Sequence, residues 1–183
     1  MMKHFVFLCL CCVSLLVVSA AVVPAEAAMP KKGDVAVIAV PMNGQSAEYT
    51  DIVENAVIQE LVSSGYKVVD EAKKRQIHKA AAQKKADAAY LNGDVEALMK
   101  ISFSYGVGTT VTVKFRVDNP AENEFKMYTG TASATFNARD SKGNYSYASR
   151  KTIMAKQVGY SEDEARTKSI DYAASAVAGE LVK

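Results

Sequence analysis

The sequence predicts an α/β (α+β) chain: one mixed sheet with helices packed on it, in the order β-α-β-α-α-β-β-β-α. Three observations carry that expectation. Val35 to Val40 is apolar at every position between Gly33 and Pro41, as in a strand covered on both faces. From Gly108 the chain changes to strict apolar–polar alternation, the pattern of antiparallel strands with one wet face. Stretches with apolar residues at helical spacing follow the first strand and close the chain.

The first strand leads through Pro41 to Gln45 into a helix with Ser46 as N-cap and Glu48 in the first turn, where the helix dipole favours an anion. Tyr49, Ile52, Val53, Ala56, Val57, Leu61 and Val62 share one face, with Glu48, Asp51, Glu54 and Asn55 largely off it. Gly65 ends the helix in the left-handed conformation. Tyr66 to Val69 is a second short strand, which the right-handed crossover rule sets parallel to the first.

Asp70 caps a second helix running from Glu71 to about Tyr90. Its basic residues Lys73, Lys74, Arg75, Lys79, Lys84 and Lys85 have no aromatic interleaving for stacking on bases. A solvated face is expected, and nucleic acid is not expected as a partner. Asn92 and Gly93 give a turn, and Asp94 caps a short helix holding Val95, Leu98, Met99 and Phe103.

In the alternating half, Val111, Val113, Phe115 and Val117 point inward, and Thr110, Thr112, Lys114 and Arg116 outward. The loop Asp118 to Glu124 is rich in carboxylates, but Pro120 and the missing turn glycine separate it from a calcium loop. Lys126 to Ala138 alternates again, with Ala132, Ala134, Phe136 and Ala138 inward and Thr131, Ser133, Thr135 and Asn137 outward. Asp140 to Asn144 makes a hairpin turn around Gly143, and Tyr145 to Gln157 is the partner strand. Ser161 and Glu164 form a capping box for the last helix, which runs to about Leu181 and buries Ala165, Ile170, Ala173, Ala174, Val177 and Leu181.

A chain of 183 residues fits a leader followed by one domain. Met1 to His4 carries one Lys, Phe5 to Val18 is almost wholly apolar, and Ala25, Glu26 and Ala27 supply the pattern that signal peptidase reads. We expect residues 1–27 to be a cleaved signal peptide and 28–183 a single domain. An uncleaved anchor is the rival, because Phe5 to Val23 approaches the roughly 20 residues that span a bilayer; Pro24 and the small residues after it favour cleavage. Cys9, Cys11 and Cys12 are the only cysteines and all lie in the leader. Cleavage therefore removes any disulfide or thiolate site. Cys9, Leu10 and Cys11 are a poor match to the box that precedes a lipid-bearing cysteine. The expected product is soluble, with no stable membrane insertion.

Chemistry is sparse. After cleavage His78 is the only histidine, so neither a Ser, His and Asp arrangement nor a His-rich metal site can be assembled. No catalytic residue, cofactor or metal ligand is assigned and an enzyme is not expected, although paired carboxylates stay open as a hydrolase alternative. Gly106 to Thr109 lacks the dinucleotide fingerprint and precedes a strand, so it reads as a structural turn. Asn144, Tyr145 and Ser146 form a glycosylation sequon that matters only in a eukaryote. The net charge of +2 gives no long-range field worth invoking for nucleic acid. Tyrosine is the exception: Tyr128, Tyr145, Tyr147 and Tyr160, with Tyr172, concentrate in the last third and suit a protein interface. Their alternative is packing at the sheet edge beneath the last helix.

Four stretches carry a family resemblance. VAVIAVPMNG with its helix and GYKVVDEAKKRQI resemble the opening of the curli-transport-lipoprotein and TolB amino-terminal-like domains. FNARDSKGNYSYASR resembles their hairpin and ARTKSIDYAASAVAGELV their closing helix. The middle region of flagellar assembly protein T and the penicillin-binding-protein activator lipoproteins are similar in plan. The resemblance implies a non-enzymatic domain of the Gram-negative envelope that binds other proteins during assembly or secretion, and it leaves homo-oligomerisation open. Without a lipid-bearing Cys or long amphipathic hairpins, the chain fits a soluble accessory subunit instead of a channel. The alternative function is a small-ligand or glycan-binding periplasmic carrier, which needs a concave pocket lined by aromatics.

Overall fold

The computed structural model describes residues 29, 31, 33–42, 45–84, 95–142, 146–149 and 152–183. The leader with its cleavage site after Ala27, the second helix beyond Lys84, the Asn92–Gly93 turn with the Asp94 cap, and Gly143, Asn144 and Tyr145 lie outside the described residues.

Strand β1, Val35–Pro41, is buried from Val35 to Val40 because it is sandwiched. Val35, Val37 and Ala39 join a core with Val53, Val57 and Leu61 of α1 (Thr50–Ser63) and Ile170, Val177 and Leu181 of α4 (Glu162–Val182). Ala36, Ile38 and Val40 face the other way, onto Ile77 and Ala81 of α2 (Glu71–Lys84) and Leu98 and Ile101 of α3 (Val95–Ser104). Full burial of a side chain such as Leu61 or Ile170 contributes roughly 1.5–3 kcal/mol, so the apolar run commits the strand to a two-sided position.

The main partner of β1 is β2, Thr109–Val117, which runs parallel to it from Val35↔Thr109 to Pro41↔Phe115. Antiparallel to β2 lies β4, Tyr128–Asp140, with the two-residue β3, Ala121–Glu122, pairing its first residues. On the far side of β4 are β5, Ser146–Ala148, and β6, Ile153–Gly159. Among the described residues no strand pairs the outer side of β6. The mixed sheet with helices packed on it is the expected fold class.

Several local expectations are corrected. Tyr66 to Val69 touches β1 through a single parallel bridge, Val35↔Val68; Tyr66 is spent on the helix cap and on donating its hydroxyl to the Met29 carbonyl. Ser46 caps a short 3-10 turn, Ala47–Tyr49, with its hydroxyl accepting from the Glu48 amide, and α1 begins only at Thr50. Val62, expected in the apolar stripe, is 54% exposed, and Glu54, expected off it, is fully buried. Thr110 and Thr112 are buried because the α2–α3 layer reaches across the first half of β2; only from Lys114 onward does that face become wet. The continuous last strand is split: Ala148 pairs with Asn137 and Ile153 with Ala134, so its register slips by two residues between the two pieces, and the Ser149 hydroxyl accepts from the Phe136 amide. Strand β6 also runs past Gln157 to Gly159.

The caps follow from sequence. Gly65, at φ +83°, lets the Tyr66 amide reach the Leu61 carbonyl and its own amide reach Val62. Gly106, at φ +72°, ends α3 in the same way, which makes the Gly106–Thr109 stretch a structural turn. The Asp70 carboxylate accepts from the Lys73 amide at 2.7 Å. At α4 the Ser161 hydroxyl accepts from the Glu164 amide at 3.2 Å, while the Glu164 carboxylate accepts from the Tyr160 amide at 2.7 Å, one residue earlier than the usual box.

Candidate interaction surface

The sheet has one dry face and one that is half open. Beneath α1 and α4 the inward residues of β2 and β4, from Val111 to Phe115 and from Ala132 to Ala138, are buried. On the opposite face the α2–α3 layer stops short. Past it, the β2, β4 and β6 side chains are only partly covered or exposed, in cross-strand rows set by the register: Lys114–Thr135, Arg116–Ser133–Met154, Thr131–Lys156 and Thr129–Val158. Successive rows stand roughly 7 Å apart along a strand.

Large apolar side chains are left in water at one place in particular. Met154 (65%) and Val158 (42%) lie on β6, and Phe125 (71%) and Tyr160 (81%) lie at the end of the sheet that β6 reaches. Register brings these ends together, because Tyr128, just after the β3–β4 turn, pairs with Gly159, just before Tyr160. Asn123 shapes that turn: its side-chain oxygen accepts from the Phe125 and Met127 amides at 3.0 and 3.1 Å, and Lys126 takes φ 56°. Clustered exposed apolar groups of this kind mark contact sites more often than scattered ones do.

Of the tyrosines singled out from sequence, Tyr128 and Tyr160 both lie at this end, Tyr128 opposite Gly159 and Tyr160 one residue beyond it. Tyr147 is half-buried, its ring tilted 41° against Phe136 at 5.2 Å, and it packs on the core. Tyr172 is exposed on α4, the helix covering the opposite face. Tyr145 is outside the described residues.

The uncompensated charge on this face of the sheet has one sign. Arg116 is held by Asp118 at 2.6 Å, whereas Lys114, Arg139 and Lys156 have no acidic partner among the described residues.

No protein-family model matches the chain, and neither does any curated protein sequence. Solved structures do. A dodecamer of a PelC point variant from Paraburkholderia phytofirmans superposes with a TM-score of 0.50 at 9% identity, covering 87% of this chain and 96% of that one. Lipoprotein GNA1162 from Neisseria meningitidis gives 0.50 at 13% identity, over 82% of this chain and 98% of that one. The likeness is one of fold. It spans almost the whole length of both neighbours, so the sheet and its helices are one shared architecture, and at this identity it assigns no activity.

Sequence reasoning missed a charge cluster on the covered side. Glu54 of α1 is buried between β1 and α2, where one carboxylate oxygen accepts from the Ala39 amide at 3.0 Å and lies 3.2 Å from His78 Nε2, and the other is 2.9 Å from Lys74 Nζ. Burial alone would push the Glu54 carboxyl up, but His78, the Ala39 amide and Lys74 together hold it below the ordinary carboxylate range. Its contact with Glu54 raises His78, against desolvation. The crevice beside the cluster, lined by Ala36, Ile38, Val69 and Ile77, is too tight for a water molecule. The cluster is therefore a clamp joining α2 to α1 and β1. Lys74 in this clamp and Lys73, 3.8 Å from Asp34, also correct the reading of α2's basic residues as a wholly solvated face.

A polar cleft of about 340 Å³ opens at the carboxyl ends of β1 and β2, lined by Gln45, Ser46, Glu48, Tyr49, Asn119 and Arg166 together with Val117. Gln45 accepts from the Val117 amide at 3.0 Å, and Arg166 is engaged by Glu162 at 2.8 Å and Asp163 at 3.1 Å. Among the described residues no group of three or more His, Cys, Asp or Glu is placed to hold a metal ion, and no helix is long and apolar enough to cross a membrane.

Proposed function

We propose that the chain is a non-enzymatic interaction module of the cell envelope, delivered to the periplasm by its leader, which docks a partner protein through the β6 edge and the adjoining Tyr128–Tyr160 end of the sheet. The observation that carries this reading is the outer side of β6, unpaired among the described residues, with Met154, Val158, Tyr160 and Phe125 exposed beside it. An edge strand presents a row of unpaired N–H and C=O groups, which an added strand satisfies while alternate side chains supply selectivity. Fold-level likeness to a lipoprotein and to a dodecameric protein supports an envelope setting and makes a second copy of the chain one candidate partner.

Photo-crosslinking amino acids at Val158 and at Tyr160 test this in cells, with Val62 of α1 as an equally exposed control. Discrete adducts with an envelope protein are expected from the first two positions and not from the third. Identical patterns from all three positions, or none, would overturn the proposal.

The carrier alternative rests on the Tyr49–Arg166 cleft, which is polar, with one aromatic and one aliphatic residue in its wall. Thermal stabilisation by a glycan or small anion that disappears in Tyr49→Ala would favour it.

A further inference from the structure

We infer that the segment accepted at the β6 edge is an acidic strand: an extended polypeptide with Asp or Glu flanked at alternate positions by apolar residues. The inference rests on the interaction-module reading and names its partner's chemistry. Along β6 the side chains on the open face run Met154, Lys156, Val158, apolar, basic, apolar. In an added strand, residues directly across sit about 4.5–5.5 Å away, and opposite charges there stabilise the pair while like charges oppose it. Lys156 is exposed, and its cross-strand neighbour within the sheet is Thr131, which leaves its charge to be met from outside. Lys114 lies on the open half of the same face, also without an acidic partner among the described residues, so opposite charge is favoured in an approaching segment.

The helix side of the edge adds little selectivity. At Gly159 a Cβ would stand 2.6 Å from the Ala165 amide of α4, so that side is already filled by backbone. Recognition falls to the open face. A second copy pairing its own β6 antiparallel about Lys156 would set lysine against lysine, which is why the occupant is assigned as an acidic segment and not this strand's twin.

The test uses three synthetic peptides and amide chemical shifts of the secreted chain. One peptide, Thr-Val-Thr-Glu-Thr-Val-Thr, matches the alternation. A second has Lys at the centre, and a third replaces the flanking threonines of the Glu peptide by Pro, which removes ladder N–H groups. We expect shifts confined to β6 and its neighbours, affinity for the Glu peptide about fivefold above the Lys peptide, reversal of that preference in Lys156→Glu, and loss of binding with the Pro peptide. Equal affinity for the Glu and Lys peptides would overturn the acidic preference while leaving strand addition standing. Equal affinity for the Glu and Pro peptides would overturn strand pairing in favour of a simple polyanion site. No shifts with any peptide, in a chain whose circular dichroism is native, would overturn both this inference and the module reading.

Discussion

Glu54 faces a lysine and a histidine of α2 with one carboxylate, and its position decides what each of its partners can do. A buried carboxylate costs several kcal/mol of hydration unless it is compensated, and here the Ala39 amide donates to one oxygen while the Lys74 ammonium and the His78 ring lie within ion-pairing distance. Glu54→Gln strands Lys74 and His78 beside an amide, so a loss of about 3–5 kcal/mol is expected in urea unfolding. The pH dependence follows from the two directions. Glu54 sits below its ordinary 4.5, so its contribution is present above that value and is lost as pH falls through the folded value. His78 sits above its ordinary 6.5, so its contribution is present below that value and is lost as pH rises through the folded value. Thermal midpoints should therefore peak between about 4.5 and 6.5 from this cluster, and His78→Gln should lower the midpoint more at pH 6 than at pH 9. From sequence neither His78 nor its partner shows as part of a cluster, because a helical wheel sorts by polarity and so places Glu54 outside. The available signal was on α2: Lys74 and His78 share the face of Ile77 and Ala81, which a cation enters only to meet an anion.

At the scale of elements, α4 lands on the sheet backbone to backbone. A Cβ at Gly130 would stand 2.2 Å from the Ala165 carbonyl oxygen, and Gly159 is nearly as close to the Ala165 amide. Backbone cannot swing away as a side chain can, so Gly130→Ala should force the first turn of α4 off the sheet and cost about 1–3 kcal/mol by chemical denaturation. The apolar stripe of α4 and the alternation of β2 and β4 were readable because both are local periodicities that burial enforces. The glycine contacts were not, since a glycine inside an alternating run signals only that something is close. Thr110 and Thr112 failed for the same reason in reverse: polarity marked them as wet, and the helices lying across them are set by tertiary structure.

For the whole molecule, the helices form two unequal layers. The α1–α4 side shares one continuous core with β1, β2, β4 and Ala155 of β6, whereas the α2–α3 side rests on a smaller cluster around Ile38, Ile77 and Leu98. Local openings follow such differences in buried apolar contact. Amides of α2 and α3 should exchange with deuterium before those of β4 and α4 at neutral pH, and uniform exchange across both layers would contradict the division. The fold class itself was readable from the order of periodicities. Where each helix lies, and hence which half of a sheet face stays open, was not, because that depends on contacts between segments far apart in sequence.

The two-residue register slip between β5 and β6 carries a consequence of parity. Two surplus residues leave the strand's alternation in phase, so odd-numbered positions face α4 on both sides of the break: Tyr147 before it, and Ile153 and Ala155 after it. A surplus of one would have inverted everything downstream, driving Met154, Lys156 and Val158 against the helix and turning Ala155 to solvent. Which side chains β6 turns to the open face is thus fixed by whether a count is even or odd.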